Sequence, residues 1–211
     1  PTPTARRVAP SELLHNENRP GFYIRYAKPF PPPEVDAWRL SVEGLVAEPI
    51  TLSLTEIEQR LSLVSQVSRM KCVECWSAKA EWGGFTYQAL AELARPLPEA
   101  THVHLQCIDG YWEVLPIEGL ARPRALFAYR MNGERLPAPY GSPLRLIVPW
   151  LYGYKGAKAI AKLEFKAETG RGYWSTVAAY SPEGRIQAGF DYPLDLDKKP
   201  HQIEGGEITD Y

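Results

Sequence analysis

A cysteine with charged neighbours is the clearest candidate for chemistry in this chain. Cys72 lies within Arg69-Met70-Lys71-Cys72-Val73-Glu74-Cys75-Trp76-Ser77. The residues before it alternate partly between apolar and polar types, which predicts a buried strand that stops at Cys72. Lysine and arginine close to a thiol favour the thiolate, the form that attacks electrophiles and binds soft metals. The alternative is a small buried apolar side chain, the commoner role of a free cysteine.

Glu74 is the nearest acidic group to this thiol in the sequence. If the segment is extended, side chains two residues apart lie on the same face, so Glu74 and Cys72 would be neighbours. The spacing therefore predicts that Glu74 and Cys72 lie at one site.

Cys72 and Cys75 also form a Cys-x-x-Cys motif in a chain with three cysteines. An odd number argues against a disulfide framework. Zinc would need further ligands, and the histidines show no ligand spacing to this motif. His102 and His104 would share a strand face but have no third ligand. A thiol–disulfide oxidoreductase that uses Cys72 and Cys75 stays open as an alternative.

A second candidate site lies at 152–158, where Tyr152-Gly153-Tyr154-Lys155-Gly156-Ala157-Lys158 combines two glycines with two lysines. Backbone N–H groups exposed by glycine, together with lysine charge, suit a phosphate or another anion. The segment is not a Walker motif, which needs Gly-Lys-Ser/Thr before a helix. An ordinary surface hairpin with solvated lysines is the alternative.

Two sequence blocks, taken together, resemble a known family. Arg-x-x-Cys-Val-Glu-x-Trp-Ser at 69–77 and Pro-x-Arg-Leu-x-Val-Pro-Trp-x-Tyr-Gly-x-Lys-Gly-x-Lys at 143–158 resemble the molybdopterin-dependent oxidoreductases of the sulfite oxidase superfamily. Within that superfamily, the blocks look most similar to the catalytic subunits of periplasmic protein-methionine-sulfoxide reductases. The two blocks occur in the family's order, and the resemblance covers roughly residues 20–195.

The resemblance implies a molybdenum-molybdopterin (Mo-MPT) cofactor. In this family one protein cysteine adds a sulfur ligand to the molybdenum that the pterin dithiolene holds, and Cys72 matches that position. The positions that match the region of the pterin phosphate are Arg145, Gly156, Ala157 and Lys158. Other positions that would contact the cofactor are Gly21, Ile24, Arg25, Cys107 and Tyr140. At 21, 107 and 140 this chain departs from the sulfoxide reductases, so there only backbone contacts would carry over.

The activity that the resemblance implies is two-electron chemistry at a sulfur–oxygen centre, with Cys72, Glu74 and Arg25 as the catalytic set. We expect a sulfoxide-reductase-like enzyme that acts on a small-molecule or protein-bound sulfur compound. Electrons would come from a haem- or quinol-linked partner. A sulfite-oxidising enzyme is the alternative, because the guanidinium of Arg25 would suit an anionic substrate. A cofactor-free, β-rich binding module is the alternative from another class.

Charge and hydropathy exclude several other classes. The 24 lysines and arginines nearly balance the 25 aspartates and glutamates, so no overall field favours nucleic acid or an anionic membrane. No apolar run approaches the length of a membrane span. Arg6-Arg7 is not followed by the apolar region of an export signal. We expect a periplasmic protein whose export signal was removed upstream, with the cytoplasm as the alternative.

Composition favours a mixed, β-rich α+β fold. The 20 prolines and 16 glycines are spread over 211 residues, which indicates many short elements joined by irregular loops. The resemblance implies a sulfite-oxidase-type molybdopterin-binding fold without the C-terminal dimerisation domain. We expect an extended arm at 1–20, the oxidoreductase domain at 21–195 and a C-terminal tail at 196–211.

Local patterns predict the individual elements of this fold. Alternating apolar residues predict strands at 38–42, 50–52, 102–107, 126–131, 144–148 and 163–167. Thr55 and Glu58 are predicted to form a capping box at the start of one helix, and Thr86 is predicted to cap another. From 168 onward the chain is polar, and we predict only an irregular wrapping segment.

Overall fold

The computed structural model describes residues 22, 24, 34–196 and 199–208. Its helices are α1 (Leu54–Arg60), α2 (Tyr87–Ala94), α3 (Ile117–Leu120) and α4 (Tyr173–Val177). Its strands are β1 (Leu40–Gly44), β2 (Ile50–Leu52), β3 (Val64–Lys71), β4 (Trp76–Phe85), β5 (His102–Cys107), β6 (Trp112–Pro116), β7 (Leu126–Met131), β8 (Glu134–Arg135), β9 (Arg145–Ile147), β10 (Ile160–Lys166), β11 (Gly189–Pro193) and β12 (His201–Ile203). Short helices and many strands confirm the predicted mixed, β-rich α+β class.

The strands form two sheets. The first has the order β2-β1-β10-β5-β6, in which only β1 and β10 run parallel. The second has the order β12-β11-β4-β7-β8, with β3 paired to β4 and β9 paired to β7. Within it, β11 runs parallel to β4. Both sheets therefore combine sequence-distant strands, which a local pattern cannot predict.

Apolar side chains form two separate clusters. The larger cluster lies against the first sheet and helices α1 and α2. The smaller cluster lies on the second sheet around Trp76, Trp82 and Tyr140, and Phe22 packs between these three rings. Ile24, Met70 and Cys72 lie at the edge of this smaller cluster. The end of β3 is thereby fixed by packing as well as by strand pairing.

Two helix starts show how local chemistry sets the boundaries. Thr86 caps α2 as predicted, because its side chain accepts a hydrogen bond from the Ala89 amide. The predicted cap of α1 was wrong by two residues: the capping box consists of Ser53 and Glu56. Glu58 instead pairs with two arginines of the second sheet.

The long strand β4 and the C-terminal strands differ from the predictions. The glycines of 83–84 weaken the strand pattern, yet Gly84 is needed because a Cβ there would collide with the backbone of Phe127 on β7. The segment after 168 was predicted to be irregular, but it contains β11 and β12, which extend the second sheet. The sequence pattern did not reveal β11, because its buried positions include Asp191, whereas its aromatic residues Phe190 and Tyr192 are exposed.

A network of buried charges connects β11 and the turn after it to β3 and β4. Arg69 donates two hydrogen bonds to Asp195, with Nη1–Oδ1 at 2.6 Å and Nη2–Oδ2 at 3.2 Å. Lys71 Nζ lies 3.1 Å from Asp191 Oδ1. The Ser77 hydroxyl donates to Asp191 Oδ2 at 2.8 Å and accepts from Arg69 Nη1 at 3.3 Å. The five side chains thus form one connected network inside the protein.

Replacing Asp195 by alanine should destabilise the fold strongly, because Arg69 would keep a buried charge without its carboxylate. Breaking a buried ion pair in this way costs about 3–5 kcal/mol. The free energy of unfolding in urea measures the loss. Glu48→Ala is the matched control, since the Arg95–Glu48 pair has side chains 62% and 55% exposed. The control should lose less than about 1 kcal/mol. Equal losses in the two variants would contradict a buried, interdependent network.

Candidate functional site

Cys72 opens the tight turn that joins β3 to β4. Its amide donates to the Trp76 carbonyl at 2.8 Å, and the Cys75 amide donates back to the Cys72 carbonyl at 3.2 Å. Cys75 has a positive φ of 70°. This is the usual three-residue hairpin connection, a turn closed by one left-handed residue. Cys72 is half-buried, as expected for a residue that leaves the sheet.

Glu74 lies on the exposed tip of this turn. The prediction that Cys72 and Glu74 share a face assumed an extended chain, and that assumption was wrong because residues 73–74 turn. Glu74 remains close to Cys72 in the chain, but alternation along a strand does not direct its carboxylate to the thiol.

The cations that precede Cys72 also have other roles than predicted. Arg69 and Lys71 are engaged by Asp195 and Asp191 in the buried network. Carboxylates that lie this close offset their charge, so these residues fix the end of β3 instead of supplying a positive field to the thiol. The sequence contained both aspartates, but nothing local connected positions more than a hundred residues apart.

Arg145 lies in β9 with its guanidinium buried against the smaller cluster. It donates to the Tyr140 carbonyl at 2.8 Å and stacks over the Trp82 ring at 4.9 Å. Its Nη2 lies 3.1 Å from the sulfur of Met70, two residues before Cys72. Arg145 and the end of β3 therefore belong to one site.

Lys158 brings a second positive charge to Arg145. Desolvation by the surrounding protein, and then the charge of Arg145, lower the pKa of Lys158 to about 7, while Asp109 opposes the shift. A bound anion stabilises the charged form of a desolvated lysine and offsets the repulsion from a nearby cation. This region is therefore a candidate anion-binding site.

The backbone around this pair is tightly packed. A Cβ at Gly156 would lie 2.9 Å from the Leu146 carbonyl oxygen and 3.8 Å from Arg145 Nη2. The next residue along the loop also contacts Leu146, because the Leu146 amide donates to the Ala157 carbonyl at 2.9 Å. Glycine at 156 thus lets the backbone lie closer to the Leu146 carbonyl than a residue with a side chain could.

Cys107 and Tyr140 border the same region. Burial and the charge of Asp109 raise the pKa of the Cys107 thiol, and a bond with the Lys158 backbone opposes this. Tyr140 is buried, and its hydroxyl has no hydrogen-bond partner among the described residues. A buried hydroxyl without a partner is costly, which indicates that a polar group outside the protein completes this site.

The structure thus brings six of the predicted contact residues to one region: Tyr140, Arg145, Gly156, Ala157, Lys158 and Cys107. Ile24 packs against the smaller cluster, as Cys72 does. Gly21 and Arg25, also predicted to contact the cofactor, lie outside the described residues.

Lys155 does not join this site, although the sequence suggested that both lysines of 152–158 bind an anion. Its ammonium donates to Glu113 and to the carbonyls of Val114 and Pro182. Burial raises the pKa of Glu113, and Lys155 opposes that shift. The pair anchors the loop that carries Lys158, and no sequence signal connected Glu113 to it.

The described residues contain no cluster of three or more His, Cys, Asp or Glu that could hold a metal. His102 and His104 contact Thr101 and the Glu168 carbonyl instead. In the same part of the chain, no helix is long and apolar enough to cross a membrane.

Comparison with known proteins agrees with this geometry. The family model described as the oxidoreductase molybdopterin binding domain matches residues 27–174, well over half of the chain. The chain therefore belongs to this family of oxidoreductase molybdopterin-binding domains. Among solved structures, it is similar to the sulfane dehydrogenase SoxCD from Paracoccus pantotrophus, with a TM-score of 0.63 and 17% identity. The match covers 82% of this chain and 46% of the SoxCD chain, and it supports a sulfite-oxidase-type fold.

The residues present fit a molybdopterin. The positive charges of Arg145 and Lys158 suit its phosphate. The Tyr140 hydroxyl offers a further polar contact. Cys72 is a soft sulfur donor that could bind the molybdenum.

Sulfate should bind the cofactor-free protein more weakly as pH rises above about 7, because binding requires the charged form of Lys158. Below this pKa Lys158 already carries its proton. Above it, binding must take up a proton, so the affinity should fall by up to about tenfold per pH unit. Sulfate does not titrate in this range, so calorimetry between about pH 6 and about pH 9 isolates the lysine.

Two variants complete this test. Lys158→Met should bind sulfate weakly and without pH dependence, whereas Lys166→Met on β10 should follow the wild-type curve. A wild-type affinity that stays constant across this range would contradict the assignment of Lys158.

Proposed function

We propose that this chain uses molybdenum-molybdopterin to reduce a neutral sulfoxide, R₂S=O + 2 e⁻ + 2 H⁺ → R₂S + H₂O. The observation that carries the cofactor assignment is the desolvated pair Arg145 and Lys158 beside the end of β3. The cofactor supplies oxygen-atom transfer with two electrons, which no side chain performs. The protein binds it, orients it and manages protons.

Individual residues have distinct tasks in this proposal. Cys72 provides the protein sulfur ligand, and the half-buried end of β3 holds that sulfur in place. Arg145 and Lys158 hold the phosphate by charge-assisted hydrogen bonds, and the backbone of 156–157 closes around it. Glu74, on the exposed turn tip, exchanges protons with water near the metal.

The pairing of the two cations that precede Cys72 supports a neutral substrate. Sulfite would need positive charge near the reacting centre, but Arg69 and Lys71 are each paired with a carboxylate. Arg145 and Lys158 are taken by the phosphate in this proposal. A sulfoxide needs less positive charge than sulfite does, since it carries no net charge. Arg25 remains the predicted anion-binding residue that would favour sulfite instead.

The partner and the location are further parts of the proposal. Reduction consumes two electrons, which a haem- or quinol-linked protein would deliver to the molybdenum. We propose a periplasmic location, in line with the sequence resemblance.

Loaded wild-type protein should reduce methionine sulfoxide with a reduced dye and should show little oxidation of sulfite with an electron acceptor. Arg25→Ala should leave sulfoxide reduction within about a few-fold of wild type, because a neutral substrate does not need a guanidinium. Steady-state assays of both reactions on both proteins provide the measurement.

The outcomes separate the alternatives. Robust sulfite turnover that collapses in Arg25→Ala, without sulfoxide reduction, would identify a sulfite-oxidising enzyme. Thiol–disulfide exchange activity that survives without molybdenum would favour the Cys72–Cys75 oxidoreductase. A protein that binds no molybdenum and whose Cys72→Ser variant behaves normally would be the cofactor-free binding module.

A further inference from the structure

Cys75 has no task in the proposed reaction, yet it lies in the same turn as Cys72. The Cys75 amide donates to the Cys72 carbonyl, so the two residues are the first and last of a hydrogen-bonded four-residue turn. Such a turn holds its end Cα atoms within about 7 Å. Disulfides join Cα atoms about 4.4–6.8 Å apart. The backbone is therefore compatible with a Cys72–Cys75 disulfide.

Cys75 has a backbone conformation that cysteine rarely adopts. Its φ of 70° lies in the left-handed region, where glycine and asparagine are the favoured residues of a hairpin turn. Here the position carries a thiol despite that preference. An unfavourable backbone conformation at a reactive residue supports a role for the side chain.

The three cysteines differ in access to solvent. Cys75 is exposed, Cys72 is half-buried and Cys107 is buried. An oxidant from solution therefore meets Cys75 first, and Cys72 is the next thiol along the turn. Because Cys75 is exposed, its side chain can change rotamer without displacing packed neighbours.

We propose that Cys72 and Cys75 form a reversible disulfide in the cofactor-free protein, which blocks the sulfur that binds molybdenum and makes cofactor loading depend on reducing conditions. The blocking role rests on the proposed function, in which Cys72 is the metal ligand. The disulfide itself does not, because it involves only the two cysteines of this turn.

The chemistry is ordinary thiol–disulfide exchange with a low-molecular-weight disulfide. The Cys75 thiolate attacks one sulfur of RSSR, forms the mixed disulfide Cys75–S–S–R and expels one RS⁻. The Cys72 thiolate then attacks the Cys75 sulfur and expels the second RS⁻. Two protein thiols are oxidised and one small disulfide is reduced to two thiols. A dithiol reductant reverses both steps.

The test uses the full chain, purified without cofactor and treated with oxidised glutathione. Trypsin cleaves after Lys71 and Lys79, so one peptide contains Cys72 and Cys75 but not Cys107. Mass spectrometry should find this peptide lighter by two hydrogens, and dithiothreitol should restore its mass. Of the three cysteines, one should then react with a thiol reagent in the denatured, oxidised protein.

Cofactor loading gives the second measurement. Oxidised wild-type protein incubated with molybdopterin and molybdate should lose the molybdenum retention that the reduced protein shows. Cys75→Ser should retain molybdenum equally before and after oxidation. Cys75→Gly, which suits the left-handed backbone of the turn, should behave in the same way as Cys75→Ser and shows that the thiol is responsible.

Each outcome separates the disulfide from the cofactor assignment. Free thiols at both positions after oxidation, or a stable glutathione adduct on Cys75, would overturn the disulfide. A disulfide that leaves molybdenum retention unchanged would overturn its blocking role. If reduced wild-type protein retains no molybdenum either, the proposed function fails, while the peptide mass still decides the disulfide.

Discussion

The buried contact between Arg69 and Asp195 is the constraint on which the second sheet depends. It joins the turn after β11 to β3. Lys71 of β3 and Asp191 of β11 form a second contact between these segments. Ionised groups out of water are costly unless they are paired, so these contacts favour the observed placement of the C-terminal segment. The end of β3, and with it Cys72, is fixed as a consequence.

The candidate site has a different electrostatic character from this network. In the network each cation lies close to a carboxylate, which makes it a structural connection. Near Tyr140, burial and then the charge of Arg145 lower the pKa of Lys158 to about 7, a shift that Asp109 opposes. In the proposed function, these two cations bind the phosphate of the cofactor.

Much of the fold could be predicted because its information is local. The strand 102–107 and the cap at Thr86 depend on alternation and on one side-chain hydrogen bond, and both were confirmed. The strand β11 could not be predicted, because its stability comes from pairing with β4 and from the buried Asp191. The positions of Arg145 and Lys158 came from the resemblance, and their mutual approach is visible only in three dimensions. The buried ion pair between Lys155 and Glu113 was likewise not predictable from the sequence, since two lysines in one loop look alike.

X-ray absorption at the molybdenum edge of the loaded protein tests the central claim most directly, because it counts the sulfur atoms that bind the metal. If Cys72 is the protein ligand, the Cys72→Ser variant should show one sulfur ligand fewer than wild type, and Cys75→Ser should show the same number as wild type. A spectrum in which Cys72→Ser keeps every sulfur ligand, or in which Cys75→Ser loses one, would contradict the placement of the metal at the end of β3.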